Sequence, residues 1–550
     1  MDGSFAWPNR LTIAIRTPAA RDGATALASA LASRGFTASL RTGSSGDVVF
    51  SPASFANAAR VREGYRVIVD RSGARIEAGT SAGFFYGAQT LEQLAPLRPT
   101  VIRTPALVIE DWPAFAWRGI HLDVSRHFFA PSVVKRYIDI AAHYKLNVFH
   151  WHLTDSNAWR LPIPDYPRLT QAHAAYRLKD VRDIIAFAAQ RGVTVVPEID
   201  IPSHSAAAIA AYPELACGRG GDALCPSKAT FAFVDAVFRS VAALFPGPYI
   251  HAGGDESGQD AAFFPHVQRL LRANGKRLVG WDEIAASGAS SDAVILSWRG
   301  EAPALRAAES GHDVVFSPDG PLYFDAIQGD RAQEPRGTPY LSTLEEVYDY
   351  SPDTENLTAA SRAHALGVQA NLWTTYVPTQ SLLFYQLLPR ELALAETAWT
   401  PRTRKRWSGF LARLPQQFAY LRARGYPFRI PNAAFVIDAP STRFVAVKGQ
   451  VARADAVTAA KSIRVRIETL VPLIRIHFTT DGSLPTQRSP VFARDFVVPR
   501  NALPVTLRAI AILPDGRRGG VSTCVVHPVT ARALRGYART STHWSSLVSP

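Results

Sequence analysis

Two adjacent carboxyl side chains, Asp255 and Glu256, end the run His251-Ala252-Gly253-Gly254-Asp255-Glu256, directly after the apolar stretch Pro248-Tyr249-Ile250. A pair of carboxyls is the ordinary equipment for proton-transfer catalysis and, above all, for cleaving glycosides. Successive side chains of a strand point to opposite faces, so neighbours serve one site only where the strand is ending. Gly253 and Gly254 permit such an ending, because glycine accepts backbone conformations closed to other residues. The competing reading is a solvated acidic turn, and the surrounding elements decide against it.

From Arg118 to about Trp399, apolar strand-like runs alternate with helical segments, and polar residues gather where each run ends. The candidate strands are Gly119–Val124, Asn147–Leu153, Val193–Ile199, Tyr249–Ala252, Leu278–Trp281, Ala293–Trp298, Val314–Ser317 and Val368–Leu372. A helix opening at Pro131, with Val134, Ile138, Ala141 and Tyr144 along one face, joins the first pair. Such alternation implies a parallel sheet, and eight units fit a (β/α)8 TIM barrel. An open doubly wound sheet is disfavoured, since no glycine-rich dinucleotide fingerprint follows the first strand. Barrels build their sites at the C-terminal strand ends. Those ends here carry Asp123 with Arg126, Asp155, Glu198 with Asp200 and His204, Asp255 with Glu256, Trp281 with Asp282, Trp298, Tyr323 with Asp325, and Trp373.

The flanks read differently. Gly64–Asp70 and Ala74–Ala78 form a hairpin turned by Arg71-Ser72-Gly73, followed by a helix over Ser81–Leu94. This gives an N-terminal α/β domain over 1–112, before a barrel over 113–428. A small all-β domain over 429–550 follows, with a turn at Asp481-Gly482. The 550 residues exceed one ordinary core, as several domains require. The formal charge of +14 comes from scattered Lys and Arg rather than an aromatic-interleaved stripe, which argues against a nucleic-acid partner. Attraction to an acidic surface or polymer stays open.

No run of about 20 apolar residues suggests a membrane span, and Met1-Asp2-Gly3-Ser4 has no leader character. Of the three cysteines, Cys217 and Cys225 flank a glycine-rich segment that one bridge would close. Neither Cys-x-x-Cys nor His-Glu-x-x-His occurs, so no metal site and no cofactor are expected.

Aromatic rings, working carboxyls and a ring of hydrogen-bonding side chains suit a carbohydrate, whose apolar faces stack while its hydroxyls need directed partners. The residues resemble the β-N-acetylhexosaminidases of glycoside hydrolase family 20. The likeness runs through LDVSRHFF (Leu122–Phe129), HWHLTD (His150–Asp155), PEIDIPSH (Pro197–His204), GGDE (Gly253–Glu256), GWDEI (Gly280–Ile284) and NLWT (Asn371–Thr374). RIEAGTSAGFFYGAQTLEQL (Arg75–Leu94) is similar to the end of that family's preceding domain, and FTTDGSLPT (Phe478–Thr486) to its chitobiase-type C-terminal domain.

The resemblance implies an exo-acting enzyme that removes terminal β-linked N-acetylhexosamine from an oligosaccharide or glycoconjugate. Glu256 would be the general acid/base, and Asp255 would orient the substrate's own 2-acetamido group, which is the nucleophile. Asp155 and His204 would support the acid. Arg126 would hold ring hydroxyls, Tyr323 the acetamide oxygen and Asp325 the outer hydroxyls, with Trp281, Trp298 and Trp373 walling the pocket. Periplasmic or secreted residence is expected from such a substrate.

Thr375 departs from the pattern, standing where the family carries a glutamate that binds the sugar's outer hydroxyls. A neutral, shorter side chain cannot make that charge-assisted contact, so preference between glucosamine and galactosamine is open. Ser203 and the segment TDSNAWR after Leu153 also differ from the family, without removing a proposed catalytic group. The alternatives are a disaccharide-releasing relative and a weakly active carbohydrate-binding one. A nucleotide-cyclase reading of Gly253–Glu256 fails on the barrel pattern.

Overall fold

The computed structural model describes residues 3–55, 62–99, 103–218, 221–256, 262–439, 441–446, 453–469 and 474–537. They fall into two compact units. One comprises Met1–Pro318, Ser351–Thr374 and Leu394–Thr403, and the other Asp319–Tyr350, Thr375–Ala393 and Arg404–Pro550.

The first unit opens with a six-stranded sheet in the order Thr37–Thr42, Arg10–Ile15, Val48–Pro52, Gly73–Ala78, Tyr65–Asp70, Leu107–Asp111. The expected hairpin is there: Tyr65–Asp70 runs antiparallel to Gly73–Ala78, with Asp70 opposite Gly73. Asp70 Oδ1 accepts from the Ser72 backbone amide at 2.7 Å and so stiffens the turn. The helix Ser81–Leu94 has the bounds read from its sequence because both signals are local. Thr80 caps its start, accepting from Gly83 N at 3.1 Å, and the extended backbone of Ala95 before Pro96 ends it. Phe84, Phe85, Ala88 and Leu91 are its buried face.

Eight parallel strands then close into a barrel. They are β1 (Trp117–Asp123), β2 (Val148–His152), β3 (Thr194–Ile201), β4 (Tyr249–Gly253), β5 (Arg277–Trp281), β6 (Val294–Ser297), β7 (Asp313–Phe316) and β8 (Ala365–Ala370), paired in chain order with β8 against β1. Helix Pro131–His143 links β1 to β2 and buries Val134, Ile138 and Ala141, while Tyr144 lies just past its end. Seven strands lie within about two residues of the sequence reading. The exception is β8, which begins at Ala365 rather than Val368. Gly367 explains the shift: a Cβ there would lie 1.8 Å from Trp117 O, so β8 crosses β1 at a backbone contact only glycine allows. That glycine breaks the apolar run, and the sequence pattern resumes only after it.

The second unit carries a three-stranded sheet (Ala433–Asp438, Ser462–Thr469, Phe496–Pro499). Beside it in the chain is a five-stranded one (Thr442–Ala446, Ala454–Thr458, Arg518–Pro528, Val505–Ile512, Arg475–Thr479). Phe435, Ile437, Val465, Leu507, Ala509 and Val526 lie in their shared core, which is the all-β region expected at this end. Gly482, at φ 78°, makes the turn after Asp481. Among the described residues no helix is long and apolar enough to cross a membrane.

Candidate active site

β4 stops at Gly253 because the backbone there turns left-handed. Gly253, Gly254 and Glu256 have φ of 69°, 102° and 52°. A Cβ on Gly253 would sit 1.7 Å from Asp200 Oδ1, and one on Gly254 2.4 Å from Ile284 Cγ2, so space as well as conformation demands glycine. The turn cancels the opposite-face rule of a strand. Asp255 Oδ2 and Glu256 Oε2 stand 3.7 and 3.5 Å from one atom, His204 Nε2. The two carboxyls therefore share a site but differ in surroundings: Asp255 is 15% exposed and Glu256 67%. His204 is itself left-handed, at φ 56°. Such conformations cost a non-glycine residue about 1–2 kcal/mol and mark places where the surroundings dictate geometry.

Behind this pair stands Asp155. Its Oδ1 accepts from Ser156 N at 2.6 Å and lies 3.4 Å from His204 Nδ1. Its Oδ2 meets His152 Nε2 at 2.9 Å and Arg126 Nη2 at 2.8 Å. Burial alone would raise the Asp155 carboxyl. The hydrogen bonds of His152 and His204, with the charges of His152 and Arg126, outweigh it and hold Asp155 far below the usual carboxylate range. Arg126 is aimed from the end of β1, where Asp123 accepts from the Ser125 and Arg126 amides at 2.8 and 3.1 Å, and from Thr374 N at 3.0 Å. Its guanidinium lies 4.9 Å from the centre of the Trp373 ring.

Two carboxyls beside His204 are pushed up. Asp200 is buried with no hydrogen bond to either side-chain oxygen among the described residues, and burial and the neighbouring Asp255 raise it well above the usual range. Burial likewise raises Asp255, to about 6, against the charge of His204. Atoms of Asp200, His204 and Asp255 lie within 4.8 Å of one another.

Deeper in the barrel, Glu198 gathers four nitrogen groups. Oε2 lies 2.6 Å from His152 Nδ1 and 2.9 Å from His150 Nε2, and Oε1 3.0 Å from Trp281 Nε1 and 3.1 Å from His251 Nδ1. Ligand-type atoms of His121, His152 and Glu198, and of His150, Glu198 and His251, come within 4.8 Å of one another. Several of these contacts have the lengths of N–H···O bonds and already occupy the Glu198 oxygens, so a divalent ion would have to displace them. His152, Glu198 and His251 went unassigned in the sequence reading. Strand alternation was the available signal: His150 and His152, like Glu198 and Asp200, are two apart and share a face.

The aromatic residues divide by depth. Trp281 is buried, its ring 4.9 Å from that of His251 and 5.9 Å from that of Trp373. Trp298 and Trp373 are partly exposed. Trp298 Nε1 donates to Glu283 Oε2 at 3.3 Å, and Glu283 Oε1 lies 3.5 Å from the Glu256 amide, a link the sequence reading missed. Burial and adjacent Asp282 push Glu283 up to about 7.

Tyr323, Asp325 and Thr375 belong to the second unit. Asp325 and Tyr323 are buried there and Thr375 is exposed. Cys217 and Cys225 are disulfide-bonded. Their loop lies on the backbone either side of His204: Ser205 N donates to Asp222 O at 2.6 Å and Leu224 N to Pro202 O at 2.8 Å.

A closed (β/α)8 barrel with converging carboxyls at its strand ends defines the class of a barrel enzyme with an acid/base site. A family model described as "Glycosyl hydrolase family 20, catalytic domain" matches residues 115–261 and 258–402, and "Glycosyl hydrolase family 20, domain 2" matches 1–112. The chain belongs to glycosyl hydrolase family 20. A further model, "Fn3 associated", matches 465–526. A beta-hexosaminidase of Porphyromonas gingivalis is 39% identical over 427 residues, 67% of this chain and 55% of that protein. A beta-N-acetylhexosaminidase of Cellulomonas fimi is 34% identical over 418 residues, 68% of this chain and 84% of that protein. Matches thus span little more than half of some curated relatives and most of others. The solved exo beta-N-acetylglucosaminidase of Vibrio harveyi in complex with N-acetylglucosamine superposes with a TM-score of 0.71 at 31% identity, over 78% of this chain and 76% of that one. The Streptomyces coelicolor A3(2) beta-N-acetylhexosaminidase gives 0.72 at 31%, over 78% and 95%.

Proposed function

We propose that this chain hydrolyses terminal, non-reducing β-linked N-acetylhexosamine, with retention and with the substrate's acetamide as nucleophile. The convergence of Asp255 and Glu256 on His204 Nε2 carries this reading, since it supplies two carboxyls to one site in unlike surroundings. Glu256, the more open, donates its proton to the glycosidic oxygen as that oxygen leaves the anomeric carbon. The acetamide carbonyl oxygen bonds to the same carbon, forming an oxazolinium ion. Asp255 Oδ1 makes no hydrogen bond among the described residues and is placed to accept from the acetamide N–H, while its charge faces the cationic ring. Glu256, now a carboxylate, takes a proton from water, whose oxygen opens the ring at the anomeric carbon from the original face. Tethering makes the first attack intramolecular, which removes much of its entropic cost.

The role of Thr375 in hydroxyl recognition, the division into 1–112, 113–428 and 429–550, and periplasmic or secreted residence belong to the same proposal. The bonded Cys217 and Cys225 support the last, because disulfides persist in oxidising compartments. The test compares nitrophenyl β-glycosides of N-acetylglucosamine, N-acetylgalactosamine and glucose. Cleavage of the acetamido sugars alone is expected, and their ratio reports what Thr375 does. Equal cleavage of the glucoside would refute acetamide participation.

A further inference from the structure

Beneath the paired carboxyls, acids and imidazoles alternate in a line that runs up to Glu256, and its inner members Glu198 and His152 are left unused by the proposed chemistry. Glu198 Oε2 and His152 Nδ1 are 2.6 Å apart, His152 Nε2 and Asp155 Oδ2 2.9 Å, Asp155 Oδ1 and His204 Nδ1 3.4 Å, and His204 Nε2 and Glu256 Oε2 3.5 Å. Glu198 and His152 are fully buried.

The partners assign the protons. His152 has a carboxylate against each ring nitrogen, so both nitrogens carry hydrogen and the ring is a cation. Its cluster neighbour differs: His150 Nδ1 accepts from Gln369 Nε2 at 2.9 Å, which leaves the ring hydrogen on Nε2, 2.9 Å from Glu198 Oε2. Gln369 is oriented in turn by Trp117 Nε1, which donates to its Oε1 at 3.2 Å. His121 has no hydrogen bond to either nitrogen among the described residues. Burial would discharge His152, but the Glu198 charge and the Asp155 bond hold its pKa up at about 10, whereas burial takes that of His150 down to about 4. One fixed cation therefore lies between two anions.

We propose that His152, clamped between Glu198 and Asp155, is a positioning residue of the reaction: it keeps Asp155 aimed at His204, and through His204 sets the acid function of Glu256. The inference rests on the proposed hydrolysis and extends it inward to a cation anchored by Glu198. Without the cation, Asp155 Oδ2 would keep Arg126 alone and would lose the imidazole that holds it from the Glu198 side. His204 would then turn more freely, and proton delivery by Glu256 would slow. Neither residue reaches solvent, so neither touches substrate directly.

The test uses the full chain with nitrophenyl and alkyl N-acetyl-β-glucosaminides. The unmutated protein comes first: if it cleaves neither, the hydrolase reading itself fails, separately from this one. Where it cleaves them, His152→Gln and Glu198→Gln should lower kcat with little change in KM. The loss should be about tenfold or more greater on the alkyl glycoside, which depends on acid help. A merely structural role would reduce both substrates by one factor, and that result, or unchanged kcat in both variants, overturns the proposal. A third readout needs no folded variant. In unmutated protein with 15N-labelled histidine, one ring should keep both nitrogens protonated through neutral and mildly alkaline pH, and absence of such a ring also overturns it.

Discussion

Asp255 is the residue on which the pH dependence should turn. To face a developing cation it must be an anion, yet burial holds its proton until about pH 6. Below that pH the carboxyl is neutral and above it charged, so kcat/KM should rise with pH through about 6 on the acid side of the profile. Asp255→Asn should remove that limb and lower kcat by about 10²–10³, the usual cost of losing one electrostatic stabiliser of a transition state. The same shift carries a stability cost with a definite sign. A carboxyl whose folded pKa lies above its unfolded pKa of about 4 binds its proton more tightly when folded, so stability falls as pH rises from about 4 to 6. Asp255→Asn should therefore melt higher than the unmutated protein at neutral pH and not at pH near 4. Calorimetry at both pH values checks this, and a melting point unchanged at neutral pH would contradict the buried-anion assignment.

At the scale of elements, the end of β4 is the most constrained. Placing alanine at Gly253 would combine a left-handed backbone with a Cβ driven into Asp200. The expected loss is about 2–5 kcal/mol of stability, from the conformational cost plus overpacking, with activity falling alongside. Urea unfolding of Gly253→Ala, together with its kcat, measures both. The loop closed by Cys217 and Cys225 gives a second test, because it pairs with the backbone either side of His204. Replacing both cysteines by serine should lower stability by about 2–3 kcal/mol on chain-entropy grounds, and should reduce kcat more on poor leaving groups if His204 loosens. Equal loss on all leaving groups would separate the loop from His204. What the sequence made legible follows the same line between local and non-local causes. Thr80 and Pro96 bound their helix from within a few residues, and Gly253-Gly254 announced a strand end before the acidic pair. The start of β8 was hidden, because Gly367 answers to Trp117 across the barrel. The Glu198 cluster was hidden for a like reason: its members come from β2, β3, β4 and β5, and their spacing within each strand shows only a shared face, not a shared partner.

For the whole molecule, charge is the property with a consequence beyond the site. The chain carries 60 basic and 46 acidic residues, a formal excess of +14. A neutral amino sugar feels no long-range force from that excess, whereas an acidic glycoconjugate would be drawn in from beyond contact distance. Screening distinguishes the two cases, since the Debye length shrinks from about 30 Å at 0.01 M salt to about 10 Å at 0.1 M. If the basic excess steers natural substrates, kcat/KM on a sulfated or sialylated oligosaccharide bearing terminal N-acetylhexosamine should fall severalfold over that range. On chitobiose it should stay level. The neutral sugar also serves as the control for any salt effect on folding or on the acids and imidazoles behind Glu256, because such effects would reach both substrates alike. Parallel curves for the two would mean that the excess serves solubility alone. Divergent curves would place the enzyme's preferred glycans among acidic polymers, and would direct the search for its natural substrate by charge before linkage.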